Sequence, residues 1–405
     1  MASAASTDNL RPHGWVRRLG PWVGIGTSPA ALMVGGGVAD GNETWRLLVA
    51  IGVGTAVLAG LAVAQGILGQ RRHARLRTLA ADALGTEGGR RIASPVLAVM
   101  MVGWFGFNTS VAGAGLGKLL HLPSRFGMVI FALVMLAVAW HGLNMLSWVA
   151  LTAGAATVLL AADGLRIALA DHSGPLFGDG TPETGLGMLP AIAVMVGYGA
   201  AFALRTPDFT HDLARPRHVA FCAGLGLAIP LLVFAIAGAV LELTTGSWNL
   251  VQVLEQLGSP TVAYAFVALG FTGSVLTNLH SGALSFEDAM PRLTHRGALV
   301  IVMVVGTALA ALDFADSMIG FLTAMALAAP CLIGVLWIDE IAGRRSTAPS
   351  YAAVALAAWA AGIVVGGGLR LLDSPVALPA GIATAAAVAG IPALVARRRT
   401  AASAP

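Results

Sequence analysis

Residues 24–31 read Gly24-Ile25-Gly26-Thr27-Ser28-Pro29-Ala30-Ala31, at the centre of an apolar run covering roughly 19–38. Proline removes a backbone donor, and its ring pushes the preceding residue, Ser28, out of the helical region. A helix interrupted at that depth leaves carbonyls without partners. Inside a membrane such a break is tolerated where it is buried in protein or lines a cavity, and it is a pointer to a transporter's binding site. The competing reading is a plain proline kink packed by small residues.

The rest of the chain sets that stretch in a membrane. Of 405 residues, 57% are hydrophobic and 11% charged, less than half of the ~25% charged usual in soluble domains. A span needs about 20 mostly apolar residues. Further runs of that kind lie at roughly 47–69, 94–117, 126–142, 145–168, 187–205, 219–243, 260–284, 298–312, 316–338, 351–368 and 377–396. The ninth and tenth are short and separated only around Asp313 and Asp316. With the N-terminus inside, nineteen Lys and Arg fall in inside segments. Five fall outside: Arg46, Lys118, Arg125, Arg166 and Arg370. That bias is what membrane insertion imposes. The expectation is an all-α polytopic membrane protein of about twelve transmembrane helices with both termini cytoplasmic. The longest loops, 70–93 inside and the turn-rich 169–186 outside, are too short for a soluble domain.

Several function classes drop out. The net charge of +4 resides in loops between spans, as orientation signals do, so no nucleic-acid partner is expected. The polar stretch before Arg17 has no apolar core of a cleaved signal. Cys222 and Cys331 lie inside apolar runs as small hydrophobes. No nucleophile elbow, zinc-protease helix, phosphate loop or C-x-x-C is present, so an enzyme is not expected. A channel would show a repeated filter motif or a charge ring, and neither is visible.

Polar groups inside spans are costly and ask for a reason. In the third run, Trp104 and Asn108 are four apart on one helix face. An aromatic plane beside an amide can stack a flat ring and bond its edge. Spacing alone favours the plainer reading, Trp104 as packing and Asn108 as an interhelical bond. In the eighth run, Ser274, Asn278, Ser281 and Ser285 form one stripe, with Gly273, Thr277 and His280 on the next. Such a face lines a cavity, and His280 is suited to carrying a proton or to bonding a neighbouring carbonyl. In the sixth run, Gly197-Tyr198-Gly199-Ala200-Ala201-Phe202 is glycine-weakened, which predicts a second interruption five helices after the first. That offset is the one an inverted repeat requires. Just beyond it, Asp208, His211 and Asp212 have metal-like spacing beside arginines; a turn with a helix cap is the better reading.

These patches carry a resemblance. Gly103-Trp104-Phe105-Gly106, Pro207-Asp208-Phe209-Thr210, Thr277-Asn278, Ala328-Ala329-Pro330 and Asp339 resemble motifs of the nucleobase:cation symporter-1 family, in its bacterial cytosine permease branch. The resemblance implies a five-plus-five inverted repeat of the leucine-transporter type with two added C-terminal helices. The parts would be a tail at 1–18, a first repeat at 19–168, a second at 187–338, added helices at 351–396 and a tail at 397–405. It implies substrate binding by Trp104, Asn108, Tyr198, Gly199, Phe202, Asn278, His280 and Ser281. A sodium would be bound by Ser28, Ala31, Gly273 and Thr277. The family's sixth-helix aromatic is here Gly199, a substrate-binding Asn is Gly282, and a cation-binding hydroxyl is Leu276.

The expected function is import of a nucleobase or related planar heterocycle, cytosine-like or purine-like, with a cation, Na+ or H+, by alternating access. It would take place in a bacterial cytoplasmic membrane, by a monomer without a cofactor. The alternatives are a ligand sensor that does not transport, or a carrier of allantoin, a hydantoin or a thiamine pyrimidine precursor.

Overall fold

The computed structural model describes residues 14–41, 44–170, 176–177, 185–247, 252, 260–343 and 352–402. The outer loop expected at 169–186 falls largely outside these residues, as do the chain ends. Twelve spans follow in order, and among the described residues there is no β-sheet. Eight of the helices are long and apolar enough to cross a membrane; Ser124–Ala139, His295–Ala311 and Ala377–Ile391 are shorter apolar ones. The eighth span is built from Pro260–Gly270 and Thr272–Ala289. The ninth and tenth are parted by Asp313, in a left-handed conformation, and a tight turn at Phe314–Ser317.

The first span is divided as its sequence predicts. Leu19–Gly26 ends at Thr27, and Pro29–Ala39 begins with Ser28 as its cap, extended at φ −65°, ψ 139° and accepting from the Ala30 amide. The sixth span departs from expectation. Met188–Arg205 runs unbroken through Gly197–Phe202, and the interruption comes at Thr206, before the short turn Pro207–Thr210. The glycines serve contact instead. A Cβ at Gly197 would fall 2.0 Å from the Leu322 carbonyl oxygen, and one at Gly199 2.7 Å from Leu58 Cδ2. Small residues let membrane helices approach backbone to backbone, and a continuous helix does so without loss of hydrogen bonds.

The same device sets the interior. Gly24 lies against the Gly273 backbone, Gly270 against Pro29, and Gly35 and Gly238 against the Ala235 and Leu32 backbones. The break in the first span therefore packs on the break in the eighth. The third span, Ser94–Leu119, is buried along most of its length and occupies the centre. An amphipathic helix, Leu76–Leu84, lies in the loop between the second and third spans.

Candidate substrate cavity

A small cavity lies where the first-span break meets the third, sixth and eighth spans. Its aromatic wall is Trp104, Tyr198 and Phe202, and its polar wall is Ser28, Asn108, Ser274 and Asn278. No charged side chain lines it. Trp104 is held edge-on by three rings, Phe107, Tyr198 and Phe321, at centroid distances of 5.7, 5.5 and 5.6 Å. That arrangement suits the ring quadrupole and fixes the indole plane.

The first-span break supplies the polar groups. Tyr198 donates its hydroxyl to the Ile25 carbonyl at 2.5 Å. Ser28 Oγ lies 3.0 Å from Ser274 Oγ, and Asn108 donates to the same Ser274 Oγ at 3.3 Å. Ser274 thus joins three spans. Asn108, which lines the cavity, keeps its carbonyl oxygen buried and without a hydrogen-bond partner, an unused acceptor.

The expected site residues divide into two groups. Trp104, Asn108, Tyr198, Phe202, Asn278 and Ser28 come together at the cavity. Gly199 faces Leu58. His280 sits with its ring 5.2 Å from that of His295, which in turn bonds Glu287, and it does not line the cavity. Ser281 is buried with its hydroxyl unpartnered. A side chain at Gly282 would meet Val302 at 2.9 Å and Met101 at 3.3 Å, so apolar atoms fill that place. Sequence reasoning missed Ile25, Ala30 and Met101 in the lining and did not single out Ser274 within its stripe. Position 274 lies one turn before Asn278 on the same face, which was the available signal.

Both hydroxyls among the four expected cation-binding residues are already engaged. Thr277 donates its hydroxyl to the Gly273 carbonyl at 2.9 Å. Ser28 Oγ is shared by Ser274 and the Ala30 amide. Ala31 donates its amide to the Ser28 carbonyl at 2.8 Å. Leu276, fully buried, brings no donor atom.

Below the cavity the eighth-span stripe leads from Asn278 through Ser281 to Ser285, which accepts from Arg205 Nη1 at 3.1 Å. Arg205, 1% exposed, lies 2.8 Å from Asp208 Oδ2 and 4.0 Å from Asp288. The Asp208 of the Pro-Asp-Phe-Thr stretch is a helix cap, but for another helix: its Oδ1 accepts from the Leu76 amide at 3.0 Å, at the start of Leu76–Leu84. Asp212 pairs with Arg18. Among the described residues no group of three His, Cys, Asp or Glu is placed to hold a metal.

The chain matches, over residues 11–392, the family described as permeases for cytosine/purines, uracil, thiamine and allantoin. It belongs to that family. A hydantoin permease of Microbacterium maritypicum is 24% identical, the match covering 80% of this chain and 72% of that protein. A cytosine permease of Escherichia coli O157:H7 is 23% identical, covering 80% and 77%. The fold is that of Mhp1, a nucleobase-cation-symport-1 family transporter solved closed with bromovinylhydantoin bound. The TM-score is 0.82 at 21% identity, over 96% of this chain and 93% of that one. A Na+-coupled sialic acid symporter shares the fold at a TM-score of 0.71 and 13% identity, over 95% and 90%. This permease is therefore a multi-pass membrane protein of the five-plus-five architecture with two added helices.

Proposed function

We propose that this permease imports a neutral, planar, single-ring or fused heterocycle together with a cation, by alternating access around the cavity at the first-span break. The observation that carries the reading is the lining: an indole held edge-on by three rings beside four uncharged polar side chains, with no fixed charge. Stacking on an aromatic plane contributes ~1–3 kcal/mol per base, and amide and hydroxyl groups read the ring edge. A carboxylate or ammonium ligand would enter such a site without a counter-charge, which is costly. Trp104 is the stacking wall, Asn108 and Asn278 are the edge-reading amides, and Ser28 and Ser274 hold the broken helix to them.

In this reading both ends of the chain lie in the cytoplasm of a bacterial cell, as the arginine excess in alternate loops supports, 19–168 and 187–338 are the two repeats, and the chain acts as a monomer. Uptake of labelled cytosine, hydantoin, allantoin and adenine into proteoliposomes tests this. Accumulation of one of them, lost in Trp104→Ala, is the expected result. Binding without accumulation would make the protein a receptor, and a chemically altered ligand would make it an enzyme.

A further inference from the structure

The seventh span, Pro216–Thr245, carries one acidic residue, Glu242, near its outer end. Gly238 lies against the Leu32 backbone and Ala235 against Gly35. Residues 235, 238 and 242 share a helix face, so Glu242 points at the outer half of the first span, Pro29–Ala39. It is 8% exposed, and its Oε2 is buried without a hydrogen-bond partner.

The surroundings favour positive charge and supply none. The half-helix ends at Asp40, where its last carbonyls present the negative pole of the helix dipole. The seventh span also packs on the second and fifth. The charged groups those bring toward this end are Arg46 and the pair Arg166–Asp163, whose atoms are 3.0 Å apart. None of them pairs with Glu242 among the described residues. A buried carboxylate without a cation, packed on the half-helix that ends at Asp40, is costly as a charge, and a bound proton removes that cost. One buried oxygen pair is too few for a metal ion, which asks for six or more oxygens when hard cations are held.

The far end of the same half-helix is the substrate site, since Ser28 caps it and Ser28 and Ala30 line the cavity. Its eleven residues form a rod of ~16 Å with the substrate at its positive pole and Glu242 at its negative one. We propose that Glu242 is a proton-binding carboxylate whose protonation lets this rod seat, so that the proton, rather than sodium at the first and eighth spans, is the coupling cation. This rests on the transport reading above and adds the identity of the ion and its residue.

Two readouts test it. In infrared difference spectra of the reconstituted protein across a pH step, a carboxyl C=O band is expected in the wild type, absent in Glu242→Gln and restored in Glu242→Asp. Uptake of whichever of cytosine and hydantoin is accumulated, at constant sodium, is expected to rise about tenfold from external pH 8 to 6. It should be flat with pH in Glu242→Gln and insensitive to replacing sodium by choline. A band that persists in Glu242→Gln overturns the proton site. A pH profile unchanged by the substitution, or uptake that collapses in choline, overturns the coupling. If neither compound accumulates, the transport reading fails, and the infrared band still decides whether Glu242 binds the proton.

Discussion

At the end of the bundle opposite Glu242, four arginines each reach a carboxylate, three of them a carboxylate distant in the chain. Arg205 meets Asp208, Arg77 lies 3.8 Å from Asp288, Arg18 meets Asp212, and Arg72 spans Asp82 at 2.8 Å and Glu340 at 2.5 Å. At the other end, the first and seventh spans meet through Gly35, Ala235, Gly238 and Leu32, and the buried Glu242 meets no arginine among the described residues. Ion pairs at the rim have water as an alternative partner and can be exchanged one at a time. Backbone contact across glycines has no such alternative and holds two helices as one body. The inner rim pairs are therefore separable one by one, while the outer half of the first span is packed backbone to backbone on the seventh.

The largest expected effect comes from removing the deepest inner charge. Arg205→Met leaves Asp208 buried, with its side chain 3% exposed, and without a cation. Breaking a buried pair from one side costs ~3–5 kcal/mol, to be read as a lowered unfolding midpoint in detergent. Arg205→Met with Asp208→Asn should recover part of that loss, because Asn carries no charge and still accepts from the Leu76 amide. A single variant as stable as the wild type would remove the inner lattice as a source of cohesion.

The outer contact is broken by volume. A Cβ at Gly35 would lie 1.9 Å from the Ala235 carbonyl oxygen, an atom of backbone that cannot turn aside. Gly35→Ala is expected to cost ~1–3 kcal/mol through overpacking, with no dependence on salt. Gly52→Ala is the matched control: nothing lies within 4 Å of its Cβ position, and alanine is the better helix former by ~0.5–1 kcal/mol. Equal effects at the two positions would mean that glycine is not what joins the first and seventh spans.

Much of this was legible in the chain. Runs of apolar residues and the alternation of arginine marked twelve spans, because hydrocarbon thickness and insertion bias act on sequence directly. The break at Thr27–Ser28 was legible because Pro29 acts on its own neighbour. The sixth-span break was misplaced because glycine has two uses, weakening a helix and admitting a neighbour. Only the positions of Leu322 and Leu58 show that Gly197 and Gly199 have the second use. His280 looked like a cavity residue because helical spacing puts it one step from the Asn278 stripe. That step turns it toward His295. Glu242 drew no notice, since its isolation depends on what packs around it.

Among the rim pairs, Arg18 and Asp212 are each nearly one-fifth exposed on their side chains. Arg18→Gln should cost no more than ~1 kcal/mol, and less at high salt. A cost as large as that of Arg205→Met would erase the distinction between deep and rim pairs, and would make the whole inner end one cooperative unit.

His211 gives the smallest and most discriminating signal. It follows the turn Pro207–Thr210, with Nδ1 3.2 Å from the Pro207 carbonyl oxygen. Burial, with Arg75 adding to it, lowers its pKa below the ordinary 6.5, against an upward pull from Asp212 and Asp208. Between the lowered folded value and 6.5 the unfolded chain binds the proton more readily, so stability from the neutral ring is present above 6.5 and is lost as pH falls through the folded value. Unfolding midpoints should therefore decline on acidification below 6.5 in the wild type, and that part of the slope should vanish in His211→Gln. An unchanged slope would assign the titration to the carboxylates of the inner lattice. Paired with the Glu242 variant, the experiment separates two proton sensitivities of opposite sense. Acid loosens the lattice at His211, while under the proposal made for Glu242 acid at the other end of the bundle seats the first-span rod.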